Sequence, residues 1–173
     1  SEIERMEGIS YAAAQRQAVE LAASRGVLII TGGPGTGKTT TVRGIVALFQ
    51  KMGLDIVLAA PTGRAAKRMS ELTGGMEAQT IHRLLGMNWS ETTHQVTFAK
   101  TEQEPLEADA VILDEMSMVD VSLFSALLRA LRPGTRLVLV GDADQLPSVG
   151  AGNVFSDLIR SGRVETVVLK NIF

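Results

Sequence analysis

The chain has 173 residues, 45% of them hydrophobic and 21% charged, with a formal net charge of −2 and no cysteine. That length and composition suit a globular domain with a real core, and the lack of cysteine excludes disulfides and thiolate metal sites. The near-neutral balance excludes a uniformly basic nucleic-acid binder, so any contact with DNA or RNA must come from a local patch; no apolar run approaches the ~18 residues of a membrane span.

Ser1-Glu2-Ile3-Glu4-Arg5 is not followed by an apolar stretch, so no signal peptide is expected; the lack of cysteine fits a cytoplasmic location. Residues 10–24 predict a helix with Ala18, Val19, Leu21 and Ala22 on its apolar side. Val27-Leu28-Ile29-Ile30, ending in Thr31, predicts a buried parallel strand. Val42, Ile45, Val46 and Phe49 recur at helical spacing after a glycine-rich loop. Ile56 to Ala60 predicts a second strand, and Pro61-Thr62-Gly63 leads into a helix near 63–72. Residues 79–85 predict a short helix. Residues 86–100 turn polar and weakly alternating around Trp89, Val96 and Phe98, which fits a β-hairpin excursion or a loop. Ala110 to Leu113 predicts a third strand. Phe124, Leu127, Leu128 and Leu131 mark a helix with Asp120 as its N-cap, and Pro133-Gly134 a turn. Leu137 to Val140 predicts a fourth strand, Val154, Phe155, Leu158 and Ile159 a helix, and residues 164–169 a fifth strand. Strands alternating with helices predict an α/β fold with a mostly parallel sheet covered on both faces. Ligands of such sheets bind at the carboxyl ends of strands.

Three strand ends carry chemistry. The first is Gly32-Gly33-Pro34-Gly35-Thr36-Gly37-Lys38-Thr39, which fits the phosphate-binding loop of nucleotide triphosphatases. Its strand–loop–helix context aims loop amides and a helix N-terminus at an anion. Lys38 is the candidate for the β/γ-phosphates, and Thr39 for Mg²⁺. The second is Asp114-Glu115, ending an apolar strand. Side chains alternate along a strand, so the two acids are expected to point apart and do different work. Asp114 is the candidate partner of Mg²⁺ and Glu115 the candidate base that orients and deprotonates water; an acidic end capping the next helix is the plainer alternative. The third is Gly141-Asp142-Ala143-Asp144-Gln145-Leu146-Pro147. A glutamine there can hydrogen-bond both a γ-phosphate and a water, and so report whether the phosphate is present; a polar turn is the alternative.

Together these segments resemble helicase motifs of superfamily one. Residues 32–40 resemble motif I, Ala60-Pro61-Thr62-Gly63-Arg64-Ala65-Ala66 motif Ia, and Asp114-Glu115-Met116-Ser117-Met118-Val119-Asp120 motif II. The Gly141 to Pro147 segment resembles motif III, Gln15-Arg16-Gln17-Ala18-Val19 the upstream Q motif, and Thr80-Ile81-His82-Arg83-Leu84-Leu85 a further DNA-contacting motif. Their wording is similar to RecD-like helicases, a family that includes the α subunit of exodeoxyribonuclease V. The resemblance implies a RecA-like phosphate-loop fold and an ATP-driven motor that moves 5′→3′ on single-stranded DNA and unwinds duplex in repair or recombination. It implies that Gln15 reads adenine, and that Gly32, Gly33, Pro34, Gly35, Thr36, Gly37, Lys38, Thr39 and Thr40 hold ATP. Thr39 and Asp114 would hold Mg²⁺, with Lys38, Glu115 and Gln145 in the reaction. Pro61, Thr62, Arg64, Thr80 and His82 would face single-stranded DNA.

The same resemblance implies that residues 86–100 are a strand-separating pin and that residues 1–173 are a first motor lobe. A second lobe would supply arginines from across the cleft, and other exodeoxyribonuclease V subunits are possible partners. The alternative reading is a nucleotide-dependent switch or loader, which would not need Thr62, Thr80, His82 or the 86–100 insertion. Arg64, Lys67 and Arg68 share a helix face that suits either DNA phosphates or solvent. Trp89 and Phe98 suit either base stacking or packing of the hairpin, and Met116 and Met118 suit the core.

Overall fold

A computed structural model describes residues 13–145 and 153–170; the expected helical residues 10–12 and the motif III residues Leu146 and Pro147 lie outside that range. In chain order the elements are α1 (Ala13–Ser24), β1 (Val27–Thr31), α2 (Lys38–Lys51), β2 (Ile56–Ala60), α3 (Gly63–Leu72), β3 (Ala78–Thr80) and α4 (Ile81–Leu84). There follow β4 (Met87–Ser90), β5 (Gln95–Phe98), β6 (Ala110–Leu113), a 3₁₀ turn (Met116–Met118), α5 (Val121–Ala130), β7 (Arg136–Gly141), α6 (Val154–Ser161) and β8 (Glu165–Val168). Six strands form one sheet in the order β3-β2-β6-β7-β1-β8, and every pairing in it is parallel.

The middle of the sheet is buried on both faces because runs such as Leu28-Ile29-Ile30, Ala110–Leu113 and Leu137-Val138-Leu139-Val140 are apolar at every position, not at every second one. Period-two geometry then deals alternate residues to opposite cores. Leu28, Ile30, Ile112, Val138 and Val140 pack with α1, α2 and α3. Ile29, Val111, Leu113, Leu137 and Leu139 pack with α4, α5 and α6. All strands point the same way, so the loops that follow β1, β2, β3, β6 and β7 emerge on one edge.

Two expectations change. Residues 79–85 are not one helix. Ala78–Thr80 joins the sheet beside β2, with Ala60 opposite Thr80, and only Ile81–Leu84 is helical. Thr80 marks the switch, since its hydroxyl oxygen accepts the Arg83 N–H at 3.1 Å as an N-cap. Leu131 lies past the end of α5, with extended ψ of 136°. Pro133 disfavours the helical conformation of the residue before it, which ends the helix early. Asp120 does cap α5, accepting the Leu123 N–H at 2.8 Å.

Residues 87–98 form an antiparallel hairpin outside the main sheet, with Met87 opposite Phe98 and Trp89 opposite Val96. Its apolar residues share one face. Phe98 packs on the core at the base, whereas Met87, Val96 and Trp89 are 43%, 47% and 58% exposed. Trp89 lies against the His94 ring, at 6.3 Å between centroids.

Candidate active site

Between β1 and α2 the backbone wraps into a closed loop. Gly37 has φ 81° and ψ 22°, the left-handed region that a side chain disfavours. Gly32 is required for a different reason, since a Cβ there would sit 2.6 Å from Thr36 Oγ1. The loop is tied internally and to the sheet. The Thr36 hydroxyl donates to the Gly33 carbonyl at 2.6 Å, and the Gly32 N–H to the Gly141 carbonyl of β7 at 3.1 Å.

The Gly37 carbonyl receives three donors: the Thr41 N–H at 3.0 Å, the Thr41 hydroxyl at 2.9 Å and Gln15 Nε2 at 3.1 Å. Pinning that carbonyl turns the Lys38 N–H of the same trans peptide to the opposite side. Gln15 is only 3% exposed and does not line the cavity over this loop; its amide contacts the phosphate loop itself. Nothing in the pattern of residues 15–19 foretold that contact.

A cavity of about 350 Å³ opens over this loop. Residues 33–39 and Val42 form its floor, and Asp114, Glu115, Asp142 and Gln145 come in from the ends of β6 and β7. Gly32 and Thr40 do not line it; Gly32 packs beneath the loop and Thr40 lies in the first turn of α2. Arg68, Met69, Leu72 and Thr73, around the C-terminal half of α3, form a further wall. Arg68 borders the cavity and is solvent-exposed as well, so the solvated helix face expected for it holds here too. Arg64 and Lys67 remain solvent-exposed.

Asp114 is held by its surroundings. Its N–H donates to the Ala59 carbonyl at 3.1 Å, and its Oδ1 accepts the Glu115 N–H at 2.8 Å. Burial pushes its carboxyl above the ordinary range, against the opposing pull of the Glu115 amide, Lys38 and Arg68. Glu115 does not diverge from Asp114 by strand alternation, as expected. The strand ends at Leu113, and Glu115 adopts φ 55° and ψ 42°. For a residue with a Cβ that conformation costs about 1–2 kcal/mol, strain of the kind that gathers at functional sites. The turn that follows buries Met116 but leaves Met118 48% exposed, so Met118 is not a core residue.

Beyond β7, Asp142 is 8% exposed and its Oδ1 accepts the Asp144 N–H at 2.9 Å. The Gln145 N–H donates to the Asp142 carbonyl at 3.1 Å, and the Ala143 N–H to Thr31 Oγ1 at 3.0 Å. The Ser117 hydroxyl reaches across and donates to Gln145 Oε1 at 2.9 Å.

The donor set suits a hard divalent cation. Thr39 in the floor and Asp114 at the end of β6 both offer oxygen ligands to the cavity, which Lys38 also lines. No group of three or more acidic, histidine or cysteine side chains gathers among the described residues. An ion such as Mg²⁺ would thus complete its shell with phosphate and water oxygens, which is its habit.

The residues assigned to DNA lie on the same edge, at the far side of the sheet. Pro61 and Thr62 follow β2 and Thr80 ends β3, so they are neighbours, separated from β1 by β6 and β7. Thr62 caps α3, its Oγ1 accepting the Ala65 N–H at 3.1 Å. In both capping threonines the oxygen accepts, and the hydroxyl proton remains a donor. His82 is half-buried in α4 and Arg64 is exposed in the first turn of α3. No helix among the described residues is long and apolar enough to cross a membrane.

A family model described as an AAA domain matches residues 15–151. The chain is 43% identical to the RecBCD enzyme subunit RecD of Mycobacterium tuberculosis, an alignment covering 84% of this chain and 28% of that protein. It is 44% identical to the ATP-dependent RecD2 DNA helicase of Deinococcus radiodurans, covering 80% of this chain and 18% of that one. The chain thus spans less than a third of the length of these curated relatives. Among solved structures, Pif1 of a Bacteroides species in complex with ADP-AlF4 has the same fold, with a TM-score of 0.67 at 23% identity over 95% of this chain and 43% of that one.

Proposed function

This chain belongs to the AAA domain family, in its RecD-like branch, and on that basis we propose that it is the ATP-binding motor lobe of a DNA helicase. The observation that carries the reading is the convergence of three strand-end loops on one cavity, with Lys38, Thr39, Asp114, Glu115 and Gln145 on its walls.

In this reading the amides of residues 33–38 and the Lys38 ammonium hold the phosphates of ATP. Thr39 and Asp114 hold Mg²⁺, which when bound neutralises phosphate charge. Glu115 orients a water and takes its proton as the water oxygen attacks the γ-phosphorus. The bond to the bridging oxygen breaks, and ADP leaves with that electron pair. Gln145 hydrogen-bonds the γ-phosphate. Gln15 links the adenine edge to the loop through its bond to Gly37. Pro61, Thr62, Arg64, Thr80 and His82 line a track for single-stranded DNA, where hydroxyl donors and the α3 N-terminus suit phosphate oxygens. A second lobe would close the cavity, and other exodeoxyribonuclease V subunits are candidate partners of the whole protein. The cytoplasm is the expected compartment.

The hairpin of β4 and β5 is the strand-separating pin. Its stacked apolar face, exposed at Trp89 and Val96, suits unpaired bases. In the full-length protein, replacing residues 86–100 by a short Gly/Ser linker should abolish unwinding and spare DNA-stimulated ATP hydrolysis. Parallel unwinding and phosphate-release assays check this. Loss of the stimulated ATPase as well would assign the segment to the core, and no stimulation of the wild type by single-stranded DNA would favour the switch reading.

A further inference from the structure

Ser117 belongs to none of the assigned groups, yet it is 5% exposed and its hydroxyl makes a defined contact, donating to Gln145 Oε1 at 2.9 Å across 28 residues of chain. It sits two residues after Glu115 on a turn that is fixed without it. The Met118 N–H donates to the Glu115 carbonyl at 3.0 Å and the Val119 N–H to the Met116 carbonyl at 3.1 Å. β7 packs directly under that turn, so closely that a Cβ on Gly141 would lie 3.2 Å from the Met116 nitrogen. Gln145, by contrast, is exposed and lines the cavity. The hydroxyl is thus a strut from a rigid turn to a mobile-length side chain.

A carboxamide has one accepting end and one donating end. The Ser117 bond holds Oε1 toward the turn and so turns the NH₂ end away from it. Two N–H donors match a phosphate oxygen, which only accepts, and cannot take a proton from water. We propose that Ser117 is a positioning residue that fixes Gln145 as a donor to the terminal phosphate, and so gives the cavity its preference for a nucleoside triphosphate over a diphosphate. The proposal rests on the reading of the cavity as a Mg·ATP site. It separates Gln145 from the water: activation falls to Glu115 alone, and Gln145 registers the phosphate.

The test is a pair of affinities, Mg·ATPγS and Mg·ADP, titrated calorimetrically on the full-length protein and its Ser117→Ala, Ser117→Thr and Gln145→Glu variants. Ser117→Ala should weaken ATPγS by about tenfold, the scale of a hydrogen bond to a charged group, and leave ADP within about twofold. Ser117→Thr, which keeps the hydroxyl, should recover the preference. Gln145→Glu, at an exposed position where folding is not at stake, keeps an acceptor for Ser117 but sets a negative charge against the γ-phosphate. It should lose the preference at least as fully. An unchanged ATPγS-to-ADP ratio in Ser117→Ala, or a wild-type ratio in Gln145→Glu, overturns the proposal while leaving the nucleotide site standing. A full-length wild-type protein that binds neither nucleotide overturns the site itself, and this role with it.

Discussion

Glu115→Gln is expected to leave nucleotide affinity intact and to slow ATP hydrolysis by about 10²–10⁴-fold in the full-length enzyme, the range general-base catalysis supplies. The two halves of that expectation have separate origins. What Glu115 gives to the architecture comes from its backbone: the N–H that donates to Asp114 Oδ1 and the carbonyl that accepts from Met118. Glutamine keeps both, and keeps the side-chain volume. It also meets the same left-handed backbone, so the turn is strained equally in either protein. What it cannot do is accept a proton from water. Steady-state phosphate release and nucleotide titration on both proteins separate the effects. Near wild-type turnover would make Glu115 a turn residue and return the base to another group.

The 173-residue chain alone is expected to bind Mg·ATP weakly and to hydrolyse it about 10³–10⁵-fold more slowly than the full-length protein, the contribution of an arginine finger in related phosphate-loop enzymes. The cavity has a floor and walls from this chain, but Thr39 and Gln145 are solvent-exposed, so the reacting phosphate would face water on one side. Arg68 lines the cavity from within, yet it comes from α3, on the Asp114 side, and not from across the opening. Single-stranded DNA should not rescue turnover, because its proposed track and the cavity are joined here by a single sheet that has nothing to close upon. Phosphate release with saturating Mg·ATP, with and without oligo-dT, decides it. DNA-stimulated turnover at the full-length rate would mean that one lobe is a complete motor.

The strands and the phosphate loop were legible because one-dimensional patterns specify them. Apolar runs such as Val111-Ile112-Leu113 have few alternatives to a buried parallel strand, and the glycines of residues 32–37 answer local backbone demands. β3 was not legible. A three-residue edge strand, Ala78-Gln79-Thr80, carries no periodicity of its own and exists because β2 offers it a partner. The site shows the same division. Which residues bear chemistry could be read from their types and spacing. How they are held could not, because the holding contacts join distant segments: Gln15 to Gly37, Ser117 to Gln145, Gly32 to Gly141. Strand alternation does not govern Asp114 and Glu115, because the strand ends at Leu113 and Glu115 enters a left-handed turn; both acids line the same cavity. Arg68 shows what a helix face alone leaves out: Arg64, Lys67 and Arg68 are all exposed, as their spacing predicts, but only the fold brings Arg68 to the border of the cavity as well.

The central claim is that the loop of residues 32–39 is a nucleotide phosphate cradle whose charge comes from Lys38. Isothermal titration of Mg·ADP and Mg·ATPγS into the wild-type chain and into Lys38→Ala tests it most directly. Among the described residues Lys38 is the lysine on the cavity, and alanine at the first position of α2 keeps the helix, so the change removes a charge and not a fold. The expected result is saturable one-to-one binding by the wild type, with most of the affinity lost in Lys38→Ala for both nucleotides. Equal affinities in the two proteins would contradict it.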